Sequence, residues 1–401
     1  MLTKITNFLS SKKFLIVATF LGLYLFSAGA SWAIFSYFGG GSQISLLSGL
    51  GESRSRINLD LPRTETCPLN GGMFTKIESD IWESRRPIAI IVENHADARP
   101  QSGLSKADIV YEAVAEGGIT RFLGIYYCGA AAEDVIASPV RSARVYFIDW
   151  AAEYGLNPIF MHVGGANDFA GFGDTVKLAQ ALELLETLGW RYPGGNDLDT
   201  TYDSGFPIFW RDYERLSKQV ATEHTMVASL DAAYEEAEDR GFNAEDPDGD
   251  MWDEDFVKWR FADDSPVSNP SATDISFEFW SGKSDYDVIW QYDGDSNSYL
   301  RENDGSKHVD HETGEQIAAK NVVILFVKEK GPVDRNKHML YTTTGEGEAL
   351  IFQNGEVIEG TWEKDTRTDR TKFTDEDGKE VSFVRGPIWI EAVPAGNTID
   401  Y

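Results

Sequence analysis

Residues 108–128 read "DIVYEAVAEGGITRFLGIYYC", and the fold turns on whether this stretch is a helix or a hairpin. Ser105 and Asp108 form a capping-box pattern, which favours a helix start. Against it stand two arms rich in β-branched and aromatic residues, joined by Gly117-Gly118. A Gly-Gly pair between such arms signals a two-residue β-hairpin loop, so the hairpin is expected. In its simplest register Glu116 faces Ile119, Val114 faces Arg121 and Glu112 faces Leu123. Glu112, Glu116 and Arg121 then share one face. Two carboxylates beside an arginine are either a structural ion pair or an acid/base pair of the kind glycan and phosphodiester chemistry uses.

Outward from the hairpin, strands and helices alternate. "RPIAIIVEN" (86–94) is a short apolar run of strand length, and "PIFMHVGG" (158–165) is a buried strand entering a glycine turn. Helices are expected over 143–155, stopped by Gly155; over 174–189, with Asp174 as N-cap; and over 229–241, from Ser229 to Gly241. This alternation predicts an α/β or α+β domain with a mixed sheet across 64–262. Residues 263–274, "DDSPVSNPSATD", read as a linker. Residues 275–401 carry strand runs separated by Asp-Gly and Asn-Gly turns, and predict a smaller β-rich domain.

The amino-terminal end has a different character. Lys4, Lys12 and Lys13 precede 25 residues, 14–38, without a charge. About 20 apolar residues span a bilayer, and the lysines place residues 1–13 in the cytoplasm. A cleaved signal peptide ending in "SAGASWA" (27–33) is the rival, but the apolar run continues past it, which favours an uncleaved single-pass anchor. Residues 39–63 are rich in Gly, Ser and charge and read as a flexible tether. The main body is therefore expected outside the cytoplasm, tied to the cell membrane. Its two cysteines, Cys67 and Cys128, are an even number in an oxidising compartment, so one disulfide is expected over two free thiols.

With 36 basic and 65 acidic residues, a net charge of −29, the chain lacks the basic stripe that nucleic-acid binding needs. Two arginines nonetheless stand in an apolar setting, Arg141 and Arg144 in "ASPVRSARVYFIDW" (137–150). Spaced at i,i+3 near a helix start, they can point the same way and bind an anion bidentately. They serve either a ligand or buried carboxylates of the protein itself, and face the same cleft as Arg121 in the former case. His162 ends a strand before Gly164-Gly165, where α/β sheets place ligand groups, or is a core histidine. No His-x-x-x-His, His-Glu-x-x-His or Cys-x-x-Cys pattern is present, so no metal and no cofactor is expected. The acidic loops fail the EF-hand template, with Met251 and Ser298 where its glycine belongs.

The stretches "RPIAIIVENHADARPQSGLSKADIVYEAVAEGGITRFLGIYY", "PVRSARVYFIDWAAEY" and "MHVGGAN" together resemble the YerB-like family of bacterial cell-envelope proteins. "YLRENDGSKHVDHETGEQIAAKNVVILFV" and "TWEKDTRTDRTKFTDEDGKEVSF" are similar to that family's second domain, so the likeness covers roughly 85–395. It implies an envelope protein of two adjoining domains, typically a lipoprotein, and it assigns no reaction. This chain departs in having no lipobox cysteine and an apolar segment in its place. The family-like motifs concentrate polar residues at strand ends and in loops, where sites are usually built: Glu93, Asn94, Arg99, Gln101, Arg121, Arg141, Arg144 and Asn167 as ligand-binding candidates. Glu112, Glu116 and His162 are the catalytic candidates only if the protein is an enzyme, which the sequence leaves open. The expected function is binding of an anionic cell-wall polymer or carboxylated ligand in an arginine-lined cleft. The alternatives are a hydrolase of cell-wall glycan or phosphodiester, and a structural assembly factor of the envelope.

Overall fold

The Gly117-Gly118 loop is a hairpin. Both glycines have positive φ, at 61° and 86°, the backbone that a tight loop between twisted strands requires. The structure, a computed structural model, describes residues 60–169 and 171–401. The anchor expected at 14–38, its cytoplasmic flank and all but the end of the tether lie outside the described residues. Among those described, no helix is long and apolar enough to cross a membrane.

The main strands are β1 (Ile88–Glu93), β2 (Ile109–Glu116), β3 (Ile119–Tyr126), β4 (Ile159–His162), β5 (Asp197–Asp199), β6 (Asp274–Phe277), β7 (Val288–Asp293), β8 (Ser298–Asn303), β9 (Asn321–Val327), β10 (Gly345–Gln353), β11 (Glu356–Lys364), β12 (Lys372–Asp375) and β13 (Ile388–Pro394). The helices are short: α1 (Lys76–Trp82), α2 (Val145–Ala151), α3 (Ala181–Thr187) and α4 (Leu230–Asp239). One sheet of ten strands runs β12-β11-β10-β9-β13-β2-β3-β1-β4-β5. It is mixed: β13 pairs parallel with both β9 and β2, β1 with β4, and β4 with β5. The mixed sheet matches the expectation, and with helices this short the α+β alternative fits and the α/β one does not.

The amino-terminal and carboxy-terminal segments meet inside this sheet, where Ile109–Glu112 lies beside Ile388–Glu391. Arg260–Ala262, just before the expected linker, pairs with Ser382–Val384. One face of the hairpin carries α2, with Tyr111 stacked on Trp150 at 5.3 Å. The other carries the antiparallel sheet β6-β7-β8, where Trp290 packs on Trp389 at 5.4 Å and Phe122 on Trp389 at 5.4 Å. Aromatic side chains each bury a large apolar area and pack edge-to-face or offset at such distances.

The hairpin contains a bulge between Val114 and Glu116, so Glu112 faces Phe122, Ala113 faces Arg121 and Val114 faces Thr120. The register is one residue off the simple one over the lower part of the ribbon. The helix expected over 143–155 is only Val145–Ala151, with Arg144 as N-cap and Arg141 outside it. The segment 174–189 is a 3₁₀ turn, Lys177–Ala179, followed by α3 with Gln180 as its N-cap, so Asp174 caps nothing there. The 229–241 reading matches: Ser229 Oγ accepts from Ala232 N at 3.1 Å, and Gly241 closes the helix at φ 86°. The Asn354-Gly355 turn between β10 and β11 likewise has positive φ at both residues, 57° and 82°. Helix α1 is a further element, started by a capping box in which Thr75 and Glu78 exchange hydrogen bonds.

Cys67 and Cys128 are joined, with Cα atoms 6.0 Å apart across 61 residues of chain. Beside the bridge the buried Asp108 accepts from Asn70 Nδ2 and the N–H groups of Tyr127, Cys128 and Gly129. Burial nevertheless pushes its carboxyl up to about 7, against those four donors.

Candidate functional site

The bulge determines where each charged residue of the hairpin goes. Residues paired across the ribbon share a face, and successive residues alternate. Glu112 lies with Thr120 and Phe122, toward β6-β7-β8. Past the bulge, Glu116 lies with Arg121, toward α2. The structure therefore does not bring Glu112 and Glu116 together.

On the α2 side, Glu116 is gripped by two arginines. Its Oε1 takes a short contact from Arg121, and its Oε2 accepts from Arg144 Nη2 at 2.6 Å. Arg121 also donates to Ser142 O at 2.8 Å, and Arg144 to Ala143 O at 2.7 Å. Burial alone would raise the Glu116 carboxyl, but the Arg121 and Arg144 charges prevail and hold it at about 2. Burial, with Arg144 nearby, lowers the Arg121 guanidinium to about 10. Arg141 lies 3.2 Å, through Nε, from Glu93 Oε1, and Glu93 Oε2 meets His224 Nδ1 at 2.8 Å. Glu93 and Glu116 stand at the carboxyl ends of β1 and β2, on one edge of the sheet. The side chains of Arg141 and Glu116 are each 25% exposed, whereas those of Arg121 and Arg144 are nearly closed off. The Nε of Arg144 is buried without a hydrogen-bond partner.

On the opposite face, four expected site residues belong to a buried network. Arg301 Nη2 donates to Glu112 Oε2, its Nε lies 3.7 Å from Glu391, and its Nη1 donates to His308 Nδ1 at 2.9 Å. Asn94 Nδ2 donates to Glu112 and Thr120, Gln101 Nε2 to Asn94, and Arg99 Nε to Asn94. His308 Nε2 meets Gln101 Oε1 at 2.9 Å. Since Arg301 can only donate, His308 Nδ1 accepts, and Nε2 carries the proton. Burial and the Arg301 charge push the His308 imidazolium well below its ordinary value, consistent with that neutral ring. Burial and the neighbouring Glu112 raise Glu391 well above the carboxylate range. Phe122, Trp290 and Trp389 surround the guanidinium at 5.1–5.8 Å. Asn94, Gln101, Glu112 and most of Arg99 thus tie the two chain segments together. Glu112 is fully buried, closed to any substrate.

His162 is also closed. Its Nδ1 lies 2.6 Å from Gly164 O and its Nε2 2.6 Å from Asp197 Oδ1. Both partners accept, so both nitrogens hold protons. Burial opposes the charge, but Asp197 outweighs it and the imidazolium pKa is raised. Arg191 spans Asp197 and Asp199 at 2.6 and 3.0 Å. The histidine is a core residue that fastens β4 to β5. Asn167 follows Gly165, which bridges to Ala143 between the two arginines, and its Oδ1 is buried without a partner.

Three residues outside the sequence-based list gather beside Glu93. Ligand-capable atoms of His95, Asp97 and His224 lie within 4.8 Å of one another. No spacing motif announces them, because His224 is more than 120 positions from the other two. Arg301, His308 and Glu391 were equally silent, each a polar residue in an ordinary strand or turn.

A large mixed sheet with helix α2 on one face and a small antiparallel sheet on the other, and charged clusters at its strand ends, define a two-segment β-dominated protein of the α+β kind. The chain belongs to the YerB family. Residues 74–243 match the model for the protein of unknown function (DUF3048) N-terminal domain, and residues 275–390 that for its C-terminal domain. The chain is 32% identical over 336 residues to "Putative lipoprotein YerB" of Bacillus subtilis (strain 168), covering 84% of this chain and 88% of the relative. It also superposes on the crystal structure of the Bacillus subtilis YerB protein with a TM-score of 0.64 at 28% identity, over 84% of this chain and all of the other.

Proposed function

We propose that the chain is an extracytoplasmic binding module of the cell envelope, held at the membrane by residues 14–38. It takes an anionic envelope polymer or a carboxylated ligand on the group formed by Arg121, Arg141 and Arg144. One observation carries this reading: Arg121 and Arg144 gather on Glu116 and Arg141 on Glu93 at neighbouring strand ends, and Arg141 keeps a quarter of its side chain exposed there. Arginine meets carboxylate or phosphate with paired donors. The Bacillus subtilis relative bears the name "Putative lipoprotein YerB", which supports an outward-facing, membrane-attached position here. The hydrolase reading loses two of its three groups, because Glu112 and His162 are enclosed in ion pairs. Glu116 is kept ionised by its arginines and is a poor proton donor.

The test uses purified wall material and the full-length chain at low salt. The wild type should co-sediment and be released by added salt. Arg141→Gln removes the most exposed arginine of the group and should weaken retention by about tenfold, the value of one charge-assisted hydrogen bond. Release of soluble fragments would establish hydrolysis instead. Retention unchanged in Arg141→Gln would remove the arginine group from the reading.

A further inference from the structure

We infer that His95, Asp97 and His224 form a binding site for a divalent transition-metal cation of the zinc class. Their ligand atoms lie within 4.8 Å of one another. Two unrelated turns deliver them. His95 caps the short turn Ala96–Ala98, which contains Asp97, just past the end of β1. His224 ends the turn Thr222–His224, ahead of the strand Met226–Ser229. The two imidazoles stack at 4.8 Å with their planes 24° apart.

The orientation of His224 is the stronger argument. Its Nδ1 lies 2.8 Å from Glu93 Oε2, so the carboxylate accepts from Nδ1–H and leaves the Nε2 lone pair free. A carboxylate behind a histidine in this way fixes the tautomer and raises the basicity of a metal ligand. Glu93 is in turn steadied by Arg141 at 3.2 Å. The side chain of His224 is 8% exposed, that of His95 33% and that of Asp97 67%, so the triad opens from a buried base to solvent. Water can complete the coordination from outside. Two imidazoles and one carboxylate suit zinc and its neighbours, whereas calcium and magnesium prefer oxygen alone.

A tetrahedral zinc site brings ligand atoms to about 3.3 Å of each other, from zinc–ligand bonds of roughly 2.0 Å. Closing the gap needs rotation of the two outer side chains. Ligation through His95 Nδ1 gives up the 3.2 Å contact from Asp97 N–H, and Lys218, 4.0 Å from Asp97 and half exposed, swings aside. The inference does not rest on the arginine group binding a ligand, since it concerns the other side of Glu93.

Zinc titrated into the chelator-treated full-length chain, in competition with a chromophoric chelator, tests it. One equivalent should be held against the dye. His95→Ala and Asp97→Asn should each weaken it by roughly tenfold or more, and the double variant should hold none. Cobalt(II) should give the intense visible absorption of a low-coordinate site in the wild type and lose it in the same variants. Asp97 is at the surface, whereas His95 is half-buried, caps its turn and stacks on His224, so the zinc-free double variant is melted beside the wild type; where its midpoint falls, the cobalt spectrum of Asp97→Asn alone decides. No stoichiometric zinc, or zinc that the double variant retains, would overturn the site.

Discussion

Glu112 and Glu116 stand four residues apart on one strand and point to opposite faces of the sheet. Glu112 meets Arg301 among aromatic rings, and Glu116 meets Arg121 and Arg144 at the strand ends. An unbroken strand would put both on the same face, because side chains repeat every two residues. The single extra residue between Val114 and Glu116 reverses the parity. One bulge thereby gives the hairpin two tasks, joining the two chain segments on one face and building a charged cluster on the other.

The first task predicts a large stability effect at Arg301. Arg301→Met leaves Glu112 fully buried without its guanidinium, and breaking such a pair costs about 3–5 kcal/mol. Combining it with Glu112→Gln should cost less than the sum of the two single changes, since the stranded charge is then gone. Urea unfolding of the four proteins measures this. Strict additivity would show that the buried pair is energetically idle.

The second task gives a pH dependence. The Glu116 carboxyl is lowered from 4.5 to about 2 in the folded protein. A depressed carboxylate stabilises the fold above its unfolded pKa, and that stability is lost as pH falls toward the folded one. The contribution, on the order of 3 kcal/mol, should therefore be complete above pH about 5 and disappear between there and pH about 2. Glu116→Gln should flatten this limb in denaturant titrations across the acid range. An identical acid limb in that variant would contradict the double-arginine clamp.

How much of this was legible beforehand follows from the range of each signal. Gly117-Gly118 and Asn354-Gly355 state their turns locally, because positive φ at two successive positions demands such residues, and both turns form. The Ser229 to Gly241 helix carries its own cap and stop. Arg141 and Arg144 were recognisable as needing anions, and Glu93 and Glu116 supply them. The bulge near Ala115 has no residue signature, so the shared face of Glu112 and Arg121 was a sound inference from a wrong register. Arg301, Glu391, His308 and the His95–Asp97–His224 group depend on contacts across a hundred or more residues, which no local pattern records.

The disulfide makes a separate prediction. Thiol labelling of unfolded, unreduced protein should find neither Cys67 nor Cys128 free. Closing a loop of 61 residues is worth about 4 kcal/mol on the chain-entropy estimate. Reduction should lower the melting midpoint without opening the entry segment. Cys67 N still donates to Gly72 O, Gly71 N to Cys67 O, and Asn70 to Asp108. Amide exchange around 67–72 in reduced protein checks this, and rapid exchange there would show that the bridge alone holds the segment.

The two arginines of 137–150 should behave differently when removed. Arg144 is nearly closed off and shares Glu116 with Arg121, so Arg144→Ala leaves a largely enclosed carboxylate with half its partners. Loss of a charged hydrogen bond of this kind costs roughly 1.5–3 kcal/mol. Arg141 is a quarter exposed, and Glu93 keeps His224 when it goes. Arg141→Ala should then cost no more than about 1 kcal/mol, as for other partly exposed pairs. Arg144→Ala should also move the acid limb of Glu116 to higher pH, because one of the two charges depressing it has been removed, whereas Arg141→Ala should leave that limb in place. Denaturant midpoints of both variants between pH 2 and 7 separate the roles. Equal costs, or an acid limb unmoved in Arg144→Ala, would mean that Arg121 alone holds Glu116.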